Sequence, residues 1–307
     1  MSAFGSPLVI ANPTAGRADG TVLARLVTSL RVHGIEPEVV ATAARGHASA
    51  LARAAVEEGR RYLIAVGGDG TVHEVVNGMV DAETGILRGD DPVLGVVGGG
   101  SGCDLLRTFG LDRPPEVLAR HLATDATTRI DLGRVRLTGI DGAPSVRVFA
   151  NVAEVGYGGT VSRLANRLPR RIGQARYAAA IVGAVPRFRR VDTTVELDGG
   201  TTREPVCNVV VANGQFFGSG LKVAPRALPT DGSLNVQSWG GRPIDVIRAQ
   251  PQLRTGAHLA REDVREWRSR QVTVTTARPV DVEADGEHLG TAPASFDVLA
   301  HVLRFKL

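Results

Sequence analysis

Lysine is nearly missing from this chain. Only Lys222 and Lys306 carry it, and every other basic side chain is arginine. Alanine, glycine and valine are abundant, so this imbalance matches a GC-rich coding composition. The formal charge of +4 is too mild to argue for a nucleic-acid partner. Cysteine is just as scarce: Cys103 and Cys207 cannot build a disulfide framework or a zinc site. Long apolar runs are lacking as well. Ala178–Val185, the longest near the middle, falls far short of the ~20 residues that span a bilayer. The first seven residues have neither the basic stretch nor the apolar core of a secretory leader. These absences predict a cytoplasmic protein without a spanning helix. A 43% hydrophobic fraction over 307 residues supplies real cores and room for two domains.

The first third alternates regularly. Leu8–Ala11, Glu38–Ala41, Tyr62–Val66 and Val93–Val97 read as strands. Helices are predicted from Val22 up to Gly34, over His47–Glu58 and Thr71–Val80, and at Leu105–Phe109. That spacing implies a parallel sheet wrapped on both sides, with ligands at the carboxyl ends of the strands. The pattern changes near Ile130. Strands at Ile130–Leu137, Val146–Val152, Thr194–Leu197, Val206–Ala212, Ser233–Ser238, Val272–Thr276, Val280–Glu283 and Leu299–Phe305 are joined by Gly, Asp and Pro turns. Two helical insertions interrupt them, around 160–185 and 243–260. The reading is an α/β domain over 1–130 followed by a mostly antiparallel β-sandwich domain over 131–295.

The chemistry concentrates in Gly67-Gly-Asp-Gly-Thr71, between a strand and a helix. Glycines let a bulky ligand lie against the main chain, and the N–H groups opening the next helix suit an anion. Asp69 alone would repel a phosphate, so its place makes sense with a divalent cation between them. Magnesium-nucleotide binding is the expectation. A second glycine loop, Gly98-Gly-Gly-Ser-Gly-Cys-Asp104, follows the fourth strand, and Asn12-Pro-Thr-Ala-Gly-Arg17 follows the first.

Gly67–Thr71 with Asn77 and Gly78 resembles the signature of the diacylglycerol kinase catalytic domain family. That family includes bacterial lipid kinases and sphingosine and ceramide kinases. More distantly the turn is similar to that of NAD kinases and 6-phosphofructokinases, so an NAD kinase-like first domain is implied. The resemblance covers nearly the whole chain, and it implies that the last strand, 296–307, returns to the first domain. It also implies that Asn12, Thr14, Gly16, Arg17, Thr42, Gly67, Gly68, Asp69, Gly70, Thr71 and Ser101 bind ATP. Asp69, Asp104 and Asp131 would form a magnesium network. Asp231, with main-chain carbonyls near Leu228 and Ser233, would hold a structural cation. Glu287, in Asp285-Gly286-Glu287, would be the general base, with Asp69 the other catalytic residue. His47, at a helix start, reads as a capping or packing residue.

Several positions depart from the family pattern. Arg17 stands for a frequent lysine, Gly98 for a proline, Cys103 for an asparagine and Gly158 for an aspartate. The last two bear on acceptor recognition. Ser162–Val191 also holds eight arginines and no acid, including Arg187, Arg189 and Arg190. Such a block suits anionic lipid, and suits equally the flanks of a core helix.

The implied function is an ATP- and Mg2+-dependent lipid kinase, with diacylglycerol the first choice of acceptor. The lipid substrate would be met at a membrane surface, by peripheral contact, and a homodimer is left open. The rivals are a sphingoid-base or ceramide kinase, a soluble-metabolite kinase of the NAD kinase type, and an idle lipid- or nucleotide-sensing module.

Overall fold

The structure, a computed structural model, describes residues 2–14, 20–99, 103–169 and 175–307. The chain divides into two compact units, Met1–Leu132 with Leu299–Leu307, and Gly133–Val298.

In the first unit the strands are β1 (Leu8–Ala11), β2 (Glu38–Ala41), β3 (Tyr62–Gly67) and β4 (Val93–Gly98). The helices are α1 (Thr21–Val32), α2 (His47–Glu57), α3 (Asp69–Met79), α4 (Asp104–Thr108) and α5 (Pro115–Ala123). The sheet is parallel in the order β2–β1–β3–β4. It is extended by Arg304 and Phe305 of the last strand, which pair with Val93 and Leu94. β3 reads YLIAVG and is buried throughout, as a central parallel strand covered on both faces must be. α5 was not foreseen. It begins with Pro at the first turn, keeps Glu116 there and Arg120 and His121 in its last turn, an arrangement matched to the helix dipole.

The second unit takes up β5 (Thr127–Gly139) from Gly133 onward and β6 (Pro144–Phe149), β7 (Val152–Gly156), α6 (Tyr157–Arg167) and α7 (Ala175–Ala184). It continues through β8 (Val191–Leu197), β9 (Gly200–Val206), β10 (Asn208–Ala212), β11 (Leu234–Trp239), α8 (Pro243–Arg248), α9 (Gln250–Leu253) and β12 (Val264–Ser269). β13 (Gln271–Thr276), β14 (Asp281–Ala284) and β15 (Glu287–Lys306) complete the chain. One antiparallel run is β12–β11–β10–β7–β14–β15, and β9–β8–β13 forms another. Inward-facing Phe149, Val155, Val209, Val236, Val274 and Phe296 fill the β-sandwich core, with Phe149 and Phe296 edge to face at 6.4 Å. No helix of the described residues is long and apolar enough to cross a membrane.

Candidate active site

In the first unit three strand-end segments meet. The Asn12 side chain accepts the Thr14 N–H at 3.0 Å and donates to the Thr71 hydroxyl at 3.2 Å, so the β1 and β3 ends are linked. Asp69 Oδ1 accepts the Asp104 N–H at 2.7 Å, which ties the start of α3 to the start of α4. Thr42 donates its N–H to Ala11 at the ends of β2 and β1. Glu74, which sequence reasoning passed over, accepts the N–H groups of Gly46 and Ala48 and fixes the entry of α2 against α3. His47 accepts the Ala43 N–H at 3.0 Å, a turn-closing role.

Close packing accounts for Gly67 of the turn, whereas a Cβ on Gly68 would meet open space. Gly67, Gly68 and Gly70 all lack positive φ. A Cβ on Gly67 would run into the Thr71 side chain, and Gly99 lies against the Gly67 backbone. Gly78 has the same origin: a Cβ there would strike Ser49 and Ala52 of α2. Gly16, Arg17 and Ser101 lie outside the described residues.

The expected three-carboxylate network does not assemble. Among the described residues no group of three or more His, Cys, Asp or Glu side chains is gathered where it could hold a metal ion. Asp104 is buried and paired with Arg107 at 2.6 Å. Asp131 is fully buried and accepts the His301 N–H at 2.7 Å, which pins β5 to the last strand. Asp69 is half-buried at the start of α3. Cys103 is fully buried, and burial followed by the nearby Asp69 charge pushes its thiol well up, so it is no nucleophile.

In the second unit Asp231, expected to hold a cation with main-chain carbonyls near Leu228 and Ser233, is paired with a side chain. Arg268 on β12 forms an ion pair with Asp231 and donates to the Ser233 hydroxyl at 3.1 and 3.2 Å. The other Asp231 oxygen takes the Ser233 N–H at 2.9 Å and its hydroxyl at 2.7 Å. The Leu228 carbonyl accepts the Thr230 N–H. Asp231 and the Ser233 hydroxyl are thus engaged by a guanidinium, and the Leu228 carbonyl by backbone N–H groups. No sequence spacing marks Arg268, because β12 lies about forty residues on.

Asp285, Gly286 and Glu287 form the β14–β15 turn, with φ of 50° and 83° at the first two residues. Asp285 is a structural anchor: its carboxylate accepts the N–H groups of Ala150 and Asn151, both at 2.9 Å, and of Val152 at 3.3 Å. The Gly286 peptide is held on both sides. Its N–H donates to Glu283 at 2.8 Å, while its carbonyl accepts from Ser162 of α6 and Tyr177 of α7. Glu287, half-buried, follows this clamped peptide. Next to it Asp281 binds Thr160, Arg163 and His288. Against burial, which alone would raise it, these hydrogen bonds hold Asp281 down at about 2.

The space beside Gly158, where the family pattern has a carboxylate, is taken by another one. A Cβ at 158 would fall on the Glu154 carboxyl. Glu154 is held by Asn208 at 2.5 Å and is buried on β7.

Comparison with known proteins agrees with this architecture. The diacylglycerol kinase catalytic domain family matches residues 6–135, and the YegS C-terminal NAD kinase beta sandwich-like domain family matches 151–306. A diacylglycerol kinase of Mycobacterium tuberculosis is 28% identical over 98% of this chain and 94% of its own. The crystal structure of a diacylglycerol kinase from Bacillus anthracis superposes with a TM-score of 0.73 at 18% identity, covering 100% of this chain and 98% of that one. Yeast NADH kinase shares the fold at a TM-score of 0.51 and 12% identity, over 98% of this chain and 79% of its own. The chain belongs to the diacylglycerol kinase catalytic domain family of lipid kinases, and it is itself a kinase.

Proposed function

We propose that the protein transfers the γ-phosphate of ATP to a lipid hydroxyl, with diacylglycerol the acceptor and phosphatidate the product. The observation that carries this reading is the joining of the β1, β3 and β4 turns through Asn12–Thr71 and Asp69–Asp104. It gathers helix starts where a polyphosphate would find N–H donors. Glycine packing keeps side chains out of the way. Asp69 would hold magnesium accompanying the nucleotide, directly or through water, and the ion would neutralise charge on the phosphates.

The acceptor oxygen attacks the γ-phosphorus, the new O–P bond forms as the bond to the ADP oxygen breaks, and the hydroxyl proton passes to the Glu287 carboxylate. Glu287 suits this task because the peptide before it is clamped by Glu283, Ser162 and Tyr177, so the base arrives oriented.

The protein would act in the cytoplasm and meet its substrate from the membrane surface. α7 supports this: Ala175, Ala178, Ala179 and Val182 are exposed at helical spacing, beside exposed Arg187, Arg189 and Arg190. Radiolabelled ATP with diacylglycerol, ceramide, sphingosine and NAD, the lipids in mixed micelles, tests the reading. Label entering phosphatidate supports it; label entering only phosphorylated NAD, or none of the acceptors, overturns it.

A further inference from the structure

Glu154 and Glu283 stand directly opposite each other on neighbouring antiparallel strands, β7 and β14. Side chains so placed lie about 5 Å apart at their Cβ atoms, and like charges there repel. Both residues are also almost fully buried, at 7% and 4% exposure. Two carboxylates cannot both stay ionised in such a place.

Each one has a distinct partner that fixes its position. Asn208 on β10 donates to Glu154 at 2.5 Å and accepts the Gly158 N–H at 3.1 Å, so the Glu154 carboxyl is seated under the first turn of α6. A Cβ at 158 would fall on this carboxyl in its present position. Glu283 accepts the Gly286 N–H at 2.8 Å, in the turn that carries Glu287. The pair thus lies between the α6 start and the β14–β15 turn.

We propose that Glu154 and Glu283 share one proton, and that the proton-sharing pair is the positioning element that holds the Asp285–Gly286–Glu287 turn in its working shape. The part concerning turnover rests on Glu287 being the base; the part concerning the shared proton does not.

The electrostatics agree. Burial pushes Glu154 up to about 7, opposed by the Asn208 hydrogen bond. Burial, then the charges of Glu154 and Asp285, push Glu283 well up. Other titratable groups near the pair are Glu287 in the same turn, Tyr157 at the start of α6, Cys207 before β10 and His288, which stands opposite Glu283 on β15. The His288 ring and the Arg163 guanidinium are both engaged by Asp281. The sign follows from proton linkage. A carboxyl raised in the folded state favours folding at low pH, and that contribution is lost as pH rises from the ordinary glutamate range through about 7.

The test follows Tm and turnover from pH 5 to 9 in the full-length protein and in Glu154→Gln, Glu283→Gln, Glu283→Ala and Glu287→Gln. Turnover is read with magnesium-ATP and diacylglycerol in mixed micelles. The wild-type Tm is expected to fall across neutrality. In Glu154→Gln that fall should flatten, because an amide has no proton to lose and mimics the singly charged pair, and kcat should stay within about threefold. Glu283→Gln keeps an acceptor for Gly286 and should turn over. Glu283→Ala removes it and should lower kcat by about 10²-fold at unchanged KM for ATP, the scale of a misplaced catalytic group. Glu287→Gln should lose kcat yet keep the wild-type dependence of Tm on pH.

A Glu154→Gln protein whose Tm follows pH as the wild type does overturns the shared proton. A folded Glu283→Ala enzyme with wild-type kcat overturns the positioning role. Should Glu283→Ala fail to fold, Glu154→Gln still decides. If Glu287→Gln turns over normally, the base assignment fails, and the Tm profiles continue to judge the pair separately.

Discussion

The Asp69 carboxylate accepts the backbone N–H of Asp104 at 2.7 Å, so the side chain expected to serve a cation also fastens one glycine turn to the next. Removing it should have two effects. Asp69→Ala is expected to lose turnover by at least about 10²-fold, the scale of losing one preorganised electrostatic group. Asp69→Asn can still accept the Asp104 N–H through its amide oxygen. It should keep the wild-type Tm while losing activity to a similar degree. Parallel melting and lipid-kinase assays check this; near-wild-type turnover in Asp69→Asn would show that the charge is not needed.

Glu287 gives a second expectation. Glu287→Gln should lower kcat by roughly 10²–10⁴-fold, as general-base removal does. ATP binding should be kept, since Asn12, Asp69 and Thr71 belong to the other unit. Equilibrium ATP binding alongside lipid phosphorylation measures both. Loss of binding equal to the loss of kcat would contradict the role.

Arg268 already pairs with Asp231, so no metal is expected to stabilise the second unit there. EDTA and added magnesium are expected to leave the Tm of this unit unchanged. Arg268→Ala should cost at most about 1 kcal/mol, because the guanidinium is 57% exposed. That corresponds to about 2–4 °C for a unit of this size. With the guanidinium gone, Asp231 and the Leu228 carbonyl are available to a cation, so magnesium should restore part of the loss. Calorimetry with and without EDTA reads this directly, and a wild-type Tm that drops in EDTA would contradict it.

The arginines after α7 carry the membrane expectation. Arg187 and Arg190 reach the carbonyls of Gly183 and Gly240, but their side chains remain exposed, as Arg189 does. Replacing all three with glutamine should weaken binding to anionic vesicles, at about 1 kcal/mol per charge, and salt should weaken the wild type likewise. Equal sedimentation of wild type and mutant with phosphatidylserine vesicles would assign this segment a purely structural role.

Much of the fold was legible because parallel strands declare themselves. Tyr62–Gly67 is an unbroken apolar run that ends in glycines, and the helices beside it keep a clean 3.6-residue period. Two of the missed strands share a cause. β9 (GTTREPV) and β12 (VREWRS) lie at sheet edges, where charges and proline replace the apolar alternation that marks a strand. α5 sits behind a proline pair that reads as a loop. At the site, the turns were visible from glycine spacing, whereas partners were not. Arg268 meets Asp231, and Glu154 meets Glu283, only through strand pairing across long stretches of chain. Asp131 was legible as a carboxylate of interest, but its partner, the His301 N–H, is 170 residues away.

The first unit is not one continuous stretch of sequence, and that limits how its gene can be cut. Leu299–Leu307 gives β4 its neighbour, Asp91 the Arg304 guanidinium, Asp131 the His301 N–H, and Phe109 the tilted ring of Phe305. A fragment stopped at Leu132 would open a sheet edge and strip the buried Asp131 of that donor. Recombination that swaps the second unit between relatives therefore needs two crossovers, near 132 and near 299, so that the nine terminal residues stay with the first unit. In sequence, the second unit is one long insertion carried inside the first.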